Sequence, residues 1–398
     1  MTPADTRNTV EIMRLFMEPK SIALVGLTRA TGAFGWNVME HLKGYGYKGK
    51  LYPVNPGADE ILGVKCYRSL ADIPDEIDLA VILTPSKHGP KLVKECVDKG
   101  IRAITIVGQG YADADAEGKR LQDEAVRIAH EGDARIVGPN TFGTGNAYHS
   151  FNTAFTRIAM KEVPTGVICQ TGLYMSGLPY FPIVGKGIDI GNACDIDFAD
   201  GLEYFENDPL VKVIMLYIEG MRNGRRFMEV ASRVSKKKPV LALKSGRCDD
   251  SARAAQSHSG SLAGSDEVYD AAFKQCGVLR VTGENEFQDM TKAFLKLPLM
   301  KGRKVGIISI TGGGAIMATD ACARHGLKLA KLSDASLKKL KTLAPPWQHL
   351  GNPADIWPPS MIAGNPLHVV LATVIETFAA DDNVDGLFII LPGEYHPL

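Results

Sequence analysis

Unbroken apolar runs, each followed by a segment with helical spacing, recur along this chain, and that alternation leaves few ways for it to fold. In the first 140 residues the runs are Ser21–Gly26 (SIALVG), Leu51–Val54, Asp78–Leu83 (DLAVIL), Arg102–Val107 and Ala134–Val137. They are continuous rather than alternating polar and apolar, the pattern of parallel strands buried on both faces. Ser86–Lys99 and Ala116–Glu131 carry helical spacing between them. Repetition of strand, helix and strand predicts a doubly wound α/β domain.

A loop-rich stretch, Gly138–Pro164, interrupts the alternation before it restarts. Gly166–Gln170, Val211–Ile218 and Pro239–Leu243 are the next expected strands, with helices from about Tyr174, Asn223 and Gly264. A third start comes at Lys304–Ile310, with a helix through Ala315–His325 and a late strand at Val384–Leu391. The expected segments are 1–150, 151–300 and 301–398, and 398 residues at about 100–200 per domain accommodate them. The second and third share strings in the same order. ICQTG (Ile168–Gly172) precedes GNACDI (Gly191–Ile196), and SITGGG (Ser309–Gly314) precedes GNPADI (Gly351–Ile356). That order suggests duplicated units of one fold. The last strand-like run ends near Leu398, where a third domain would need another helix, so the polypeptide is expected to continue.

Composition narrows the function classes. Forty-five Lys and Arg balance 45 Asp and Glu, leaving no basic footprint for nucleic acid or an anionic membrane. With 45% hydrophobic and 23% charged residues, global disorder is excluded. No apolar run approaches the roughly 18 residues a membrane helix needs, and the first 20 residues lack a signal peptide's apolar core. Of the seven cysteines, the closest pair, Cys169 and Cys194, stands 25 positions apart. No zinc site, other metal site or disulfide framework is expected, and the setting expected is the cytoplasm.

The first strand runs into GLTRATGAFGWN (Gly26–Asn37) and a helix. Such a turn can cradle an anion, because backbone N–H groups and the helix N-terminus point at it and glycines permit close approach. A dinucleotide fingerprint would need glycine at Thr28, but the glycines stand at 26, 32 and 35. The acid that would take the ribose hydroxyls is replaced by Asn55-Pro56. The turn is therefore either purely structural or built for a phosphate ligand other than NAD, and the second is preferred. A further signal lies in Ser245–Gly264, SGRCDDSARAAQSHSGSLAG, a long small-residue loop of the kind that is usually functional or disordered. His258 stands within it between Ser257 and Ser259, just before an expected helix start.

With KSGR before it and SHSGSLAGSDEVYDAAF after it, this loop resembles the phosphohistidine loop of NDP-forming acyl-CoA synthetases. The family includes ADP-forming acetyl-CoA synthetase and, more distantly, succinyl-CoA synthetase. YPVNP (Tyr52–Pro56), TPS (Thr84–Ser86), GPNTFG (Gly138–Gly143), ICQTG, DIGN (Asp189–Asn192) and YIEG (Tyr217–Gly220) resemble its other motifs, in the same order. The resemblance implies a Rossmann-like CoA-binding domain followed by two flavodoxin-like doubly wound domains, the last of them incomplete. It implies an acid–thiol ligase making acyl-CoA, ADP and phosphate from a carboxylic acid, CoA and ATP, through an acyl phosphate and a phosphohistidine.

By the same resemblance His258 accepts and donates the phosphoryl group, and Glu219 holds its other ring nitrogen. Thr171, Gly172, Gly191 and Asn192 bind phosphate. Gly26, Thr28, Arg29, Gly35, Val54, Asn55, Thr84 and Pro85 line the CoA site. Without the resemblance, an acid ending a strand as Glu219 does would simply be solvated. The pattern departs from the family at Cys169 and Thr171, where serines are common, and at Asp189, which adds a negative charge near an expected anion site. His258 separates the chain from related protein acetyltransferases that lack it. Nothing here resembles an ATP-grasp module, so ATP, ADP and Mg2+ are expected to be handled by further sequence or a beta-type subunit, in a homo- or hetero-oligomer. The acyl group stays open between a short acid such as acetate and an aryl acid such as a hydroxycinnamate, for which Tyr174, Tyr180, Phe181, Trp347 and Trp357 are candidate pocket residues. Two other readings remain: a CoA-binding regulatory protein without turnover, and an NAD-dependent oxidoreductase, which Thr28 and Asn55 oppose.

Overall fold

The computed structural model describes residues 3–32, 35–156, 158–175, 184–248, 250–251 and 265–391. The first sheet contains β1 (Ser21–Val25), β2 (Lys50–Val54), β5 (Leu79–Ile82), β6 (Ala103–Ile106) and β7 (Arg135–Val137), with a small hairpin of β3 (Glu60–Ile61) and β4 (Val64–Lys65) beside it. Its order is β2-β1-β5-β6-β7, and every pairing is parallel. All residues of β1, β5 and β6 are buried, as unbroken apolar runs require. Helices Val38–Tyr45, Gly89–Asp98 and Ala116–Glu131 join the strands. Asn37 caps the first through the Glu40 N–H, and Gly46 closes it in the left-handed region at φ 85°. Because the chain leaves β1 for β2 and then crosses to β5, the sheet has a switch point between β1 and β5, where open α/β sheets bind ligands.

The second sheet uses the same plan. It comprises β8 (Gly143–Asn146), β9 (Phe151–Asn152), β10 (Thr165–Cys169), β11 (Lys186–Asp189), β12 (Val213–Ile218), β13 (Val240–Lys244) and β14 (Leu279–Val281). Its order is β14-β13-β12-β10-β11-β8-β9. The strands from β10 to β14 run parallel, with a switch point between β10 and β12, while β8 and β9 add antiparallel edges. Thus the chain changes sheets between Val137 and Gly143, and part of the expected loop Gly138–Pro164 is strand.

A helix over Pro3–Met17, not anticipated from the sequence, packs on helix Phe198–Glu206 beside the second sheet. Its Ile12, Met13, Phe16 and Met17 are buried. The Phe16 and Met17 carbonyls accept hydrogen bonds from Thr144 (2.7 Å) and Asn146 (3.1 Å). Both sheets therefore belong to one unit, residues 1–297.

Residues 298–398 form the second unit. There β15 (Lys304–Ser309) pairs in parallel with β16 (Lys328–Leu329) and β17 (Ala354–Asp355) on one flank and β18 (Gly386–Ile390) on the other. Helix Gly312–Arg324 follows β15, capped by the Thr311 hydroxyl on the Gly314 N–H. The repeated strings are offset in structure. GNACDI follows β11, whereas β17 lies inside GNPADI. Among the described residues no helix is long and apolar enough to cross a membrane.

Candidate active site

Loops from β1, β2 and β5 meet at the first switch point. Gly26 donates its N–H to the Val54 carbonyl (2.8 Å) and has φ 78°. A Cβ there would collide with the Thr84 side-chain methyl, so only glycine permits this approach. Asn55 stitches two loops together, its amide donating to the Leu27 carbonyl (2.9 Å) and its oxygen accepting from the Gly57 N–H (2.8 Å). Asn37, which the sequence reading did not single out, is fully buried and donates to the carbonyls of Thr28 (2.8 Å) and Ala30 (3.3 Å). The Thr28 hydroxyl accepts from the Ala30 N–H (3.1 Å), and Gly35 donates to the Gly32 carbonyl (2.9 Å). Arg29 and Pro85 are exposed and Val54 is buried. The Thr84 hydroxyl is buried with no hydrogen-bond partner among the described residues. An orphaned hydroxyl beside a glycine-only approach fits a polar ligand such as the pantetheine or phosphate part of CoA.

The second switch point gathers Thr171, Gly172 and Glu219. Thr171 and Gly172 follow β10, with helix Gly172–Met175 starting there, and Glu219 follows β12 and is 5% exposed. Gly172 leaves room for the Phe142 ring, which a Cβ would approach to 2.7 Å. Cys169 is fully buried, and burial pushes its thiol well above the ordinary value, so it is inert as a donor to ligand. β13 pairs with β12 up to the register Ile218–Lys244, which roots the histidine loop beside Glu219. His258 itself lies outside the described residues. Gln170 and Lys244, next to this turn, were not singled out from the sequence. Their contacts depend on which strands lie side by side, and no local pattern carries that information.

Gly191 and Asn192 follow β11, the strand paired with β10 on the side away from β12. At Gly191 φ is 52°, and a Cβ would strike the carbonyls of Pro139 and Asn140. The Asn192 amide donates to Asp113 (2.8 Å) and Gln122 (3.3 Å), and its oxygen accepts from Asn140 (3.4 Å). That side chain ties the turn to Asp113 and Asn140 and to Gln122 in helix Ala116–Glu131 of the first sheet's layer. The Arg222 guanidinium holds the same segment through the carbonyls of Ala193 (3.0 Å) and Cys194.

Asp189 does not act as the repulsive charge its position suggests. It is 1% exposed and accepts the N–H groups of Phe142 (2.7 Å) and Gly191 (3.2 Å). Burial pushes its carboxyl up to about 7, opposed by those hydrogen bonds and reinforced by nearby Glu219. A carboxyl raised on folding favours the native state fully below its unfolded value and loses that contribution as pH rises through its folded value. The wild-type protein is therefore expected to lose more thermal stability between pH 5 and pH 8 than Asp189→Asn does. Parallel melting curves at the two pH values check this, and equal losses would contradict it. Among the described residues no group of three or more His, Cys, Asp or Glu is placed to hold a metal ion.

Residues 20–147 match a family model described as CoA binding domain, and residues 182–294 match the succinyl-CoA ligase like flavodoxin domain. The chain is 41% identical over 346 residues to the acetate–CoA ligase [ADP-forming] II subunit alpha of Pyrococcus furiosus, covering 86% of this chain and 75% of that one. It is 39% identical over 387 residues to the acetate–CoA ligase [ADP-forming] II of Archaeoglobus fulgidus, which covers 95% of this chain but 57% of that longer protein. A solved structure of the Ca. Korarchaeum cryptofilum dinucleotide forming acetyl-coenzyme A synthetase 1, in complex with phosphate and ADP, superposes with a TM-score of 0.82 at 32% identity, over 96% of this chain and 89% of that one. This chain thus spans between about half and three-quarters of the length of these two sequence relatives. It belongs to the family of ADP-forming acyl-CoA ligases, as an alpha-type part.

Proposed function

We propose that this chain binds CoA and carries the phosphoryl group in the synthesis of an acyl-CoA from a carboxylic acid, CoA and ATP, with release of ADP and phosphate. Residues 1–150 take CoA, residues 151–300 carry the phosphohistidine, and 301–398 belong to a second flavodoxin-like domain. The observation that supports this reading is the pair of switch points, one a glycine cradle with an orphaned Thr84 hydroxyl, the other placing Thr171 and Gly172 after β10 and Glu219 after the adjacent β12. In the proposed cycle the acid is activated as an acyl phosphate, the CoA thiolate displaces phosphate, and His258 shuttles a phosphoryl group to or from the nucleotide. Neutral imidazole is nucleophilic near pH 7 and its phosphoramidate stays reactive, which suits a carrier. An ATP-grasp module, on further sequence or on a beta-type subunit, binds ATP, ADP and Mg2+.

We favour a short acid such as acetate as the acyl group. Tyr174 is 6% exposed and stacks on Tyr217 with ring centroids 4.4 Å apart, so it packs the core rather than lining an open aromatic pocket. Tyr180 and Phe181 lie outside the described residues, and Trp347 and Trp357 are exposed on the second unit. A cytoplasmic setting keeps the cysteines reduced, six of them buried and none bonded to another.

Isothermal titration with CoA and NADH tests the ligand of the first sheet. Heat with CoA and none with NADH is expected, because the ribose acid is replaced by an Asn55 already committed to Leu27 and Gly57. Binding of NADH without CoA would overturn the proposal.

A further inference from the structure

Two buried polar side chains beside Glu219 have no task in the reaction described so far. Gln170 follows β10 and is 4% exposed, and Lys244 ends β13 and is 2% exposed. These strands flank β12 on its two sides. Register brings Cys169 level with Tyr217 and Lys244 level with Ile218, so both side chains start level with the end of β12. The Gln170 Oε1 accepts the N–H groups of Glu219 (2.8 Å) and Gly220 (3.0 Å). From the opposite side the Lys244 Nζ donates to the Glu219 carbonyl oxygen (2.9 Å) and to the Ser245 carbonyl. The peptide joining Glu219 to Gly220 is thereby held at both poles, its N–H by Gln170 and its C=O by Lys244.

The arrangement is unfavourable for the lysine taken alone. A strand-end ammonium would ordinarily reach water, and burial lowers the pKa of this one. Its Nζ sits 4.7 Å from the centre of the Tyr269 ring, which supplies partial compensation. Gln170 also adjoins Thr171, so the side chain that grips the acid's peptide lies one residue from the phosphate turn.

We propose that Gln170 and Lys244 are positioning residues that fix the Glu219–Gly220 peptide and so hold the Glu219 carboxylate in a single orientation for its part in phosphoryl transfer. The inference rests on the proposed role of Glu219 in phosphoryl transfer. A displacement of about 1 Å at a reacting group can lower a rate by about a hundredfold, so the clamp is expected to act on kcat.

The test is a double-mutant cycle in the complete enzyme, this chain together with its ATP-grasp module, reading kcat and KM for acyl-CoA formation. Gln170→Met and Lys244→Met remove the polar contacts while keeping length. Each is expected to lower kcat about tenfold to a hundredfold with KM for CoA little changed. On a Glu219→Gln background each is expected to lower kcat by less than about twofold, because the group they orient is already disabled. If one variant fails to fold by thermal melting, the other is read alone. The same fractional loss with and without the Glu219 carboxylate would overturn the clamp while leaving the proposed function standing. Wild-type activity in Glu219→Gln itself would overturn both the clamp and the role assigned to the acid.

Discussion

The His258→Ala enzyme, assayed with its ATP-grasp module, is expected to make acyl-CoA at least about 10⁴-fold more slowly than wild type, because the proposed carrier nucleophile is removed. CoA affinity is expected to stay unchanged. The proposed CoA cradle uses the ends of β1, β2 and β5, whereas the histidine loop leaves from β13 in the other sheet. Glu219→Gln keeps the shape of the side chain and removes its charge. Losing a positioned acid–base partner typically costs on the order of 10²–10⁴ in rate, so the reaction should slow without vanishing. Steady-state kinetics and CoA titration on the same preparations check both statements. Substantial turnover in His258→Ala would contradict a phosphohistidine intermediate at this position.

Gly26→Ala is the second large effect. Gly26 lies at φ 78°, and its missing Cβ points at the Thr84 methyl. Alanine brings about 1–3 kcal/mol of backbone strain and a steric conflict that displaces the loop. CoA binding is expected to weaken by about a hundredfold, measured by titration, with far-ultraviolet circular dichroism confirming that the fold persists. Thr84→Ser removes the methyl in conflict and keeps the hydroxyl, so combining it with Gly26→Ala should recover part of the loss. Unchanged affinity in Gly26→Ala would show that the path of this loop does not hold the ligand.

Much of the fold is legible in the sequence because parallel strands buried on both faces must be continuously apolar. SIALVG and DLAVIL contain β1 and β5, and ICQTG and SITGGG mark the ends of β10 and β15. What escapes is strand without apolar content. β8 is GTGN, with all four residues buried against other parts of the fold. β11 is KGID, whose Lys186 is buried because Asp208 (2.6 Å) and Glu18 (3.5 Å) pair with it. Hydropathy cannot foresee charges neutralised by partners distant in sequence. The helix over Pro3–Met17 is written in Ile12, Met13, Phe16 and Met17 at helical spacing, but it lies before β1, outside the alternation of strand, helix and strand.

The candidate site divides along the same line. Turns carrying their own glycines, such as Gly26 and Gly172, can be recognised locally, since the constraint is a φ value or a close approach. Asp189 could be read only as a charge near an anion site, because its acceptor role depends on the N–H of Phe142, far away in the chain. Gln170 and Lys244 act through lateral neighbours of β12, and that adjacency arises only when the sheet forms.

Mapping the phosphate tests whether His258 carries the phosphoryl group. The complete enzyme is incubated with ATP and Mg2+, quenched at alkaline pH, where phosphoramidates persist, and digested. The modified peptide is then located by mass spectrometry. An acid-labile phosphate is expected on His258, within Ser245–Gly264, and is expected to disappear when a carboxylic acid and CoA are added. A stable phosphate on another residue, or a His258 that never gains one, would contradict it.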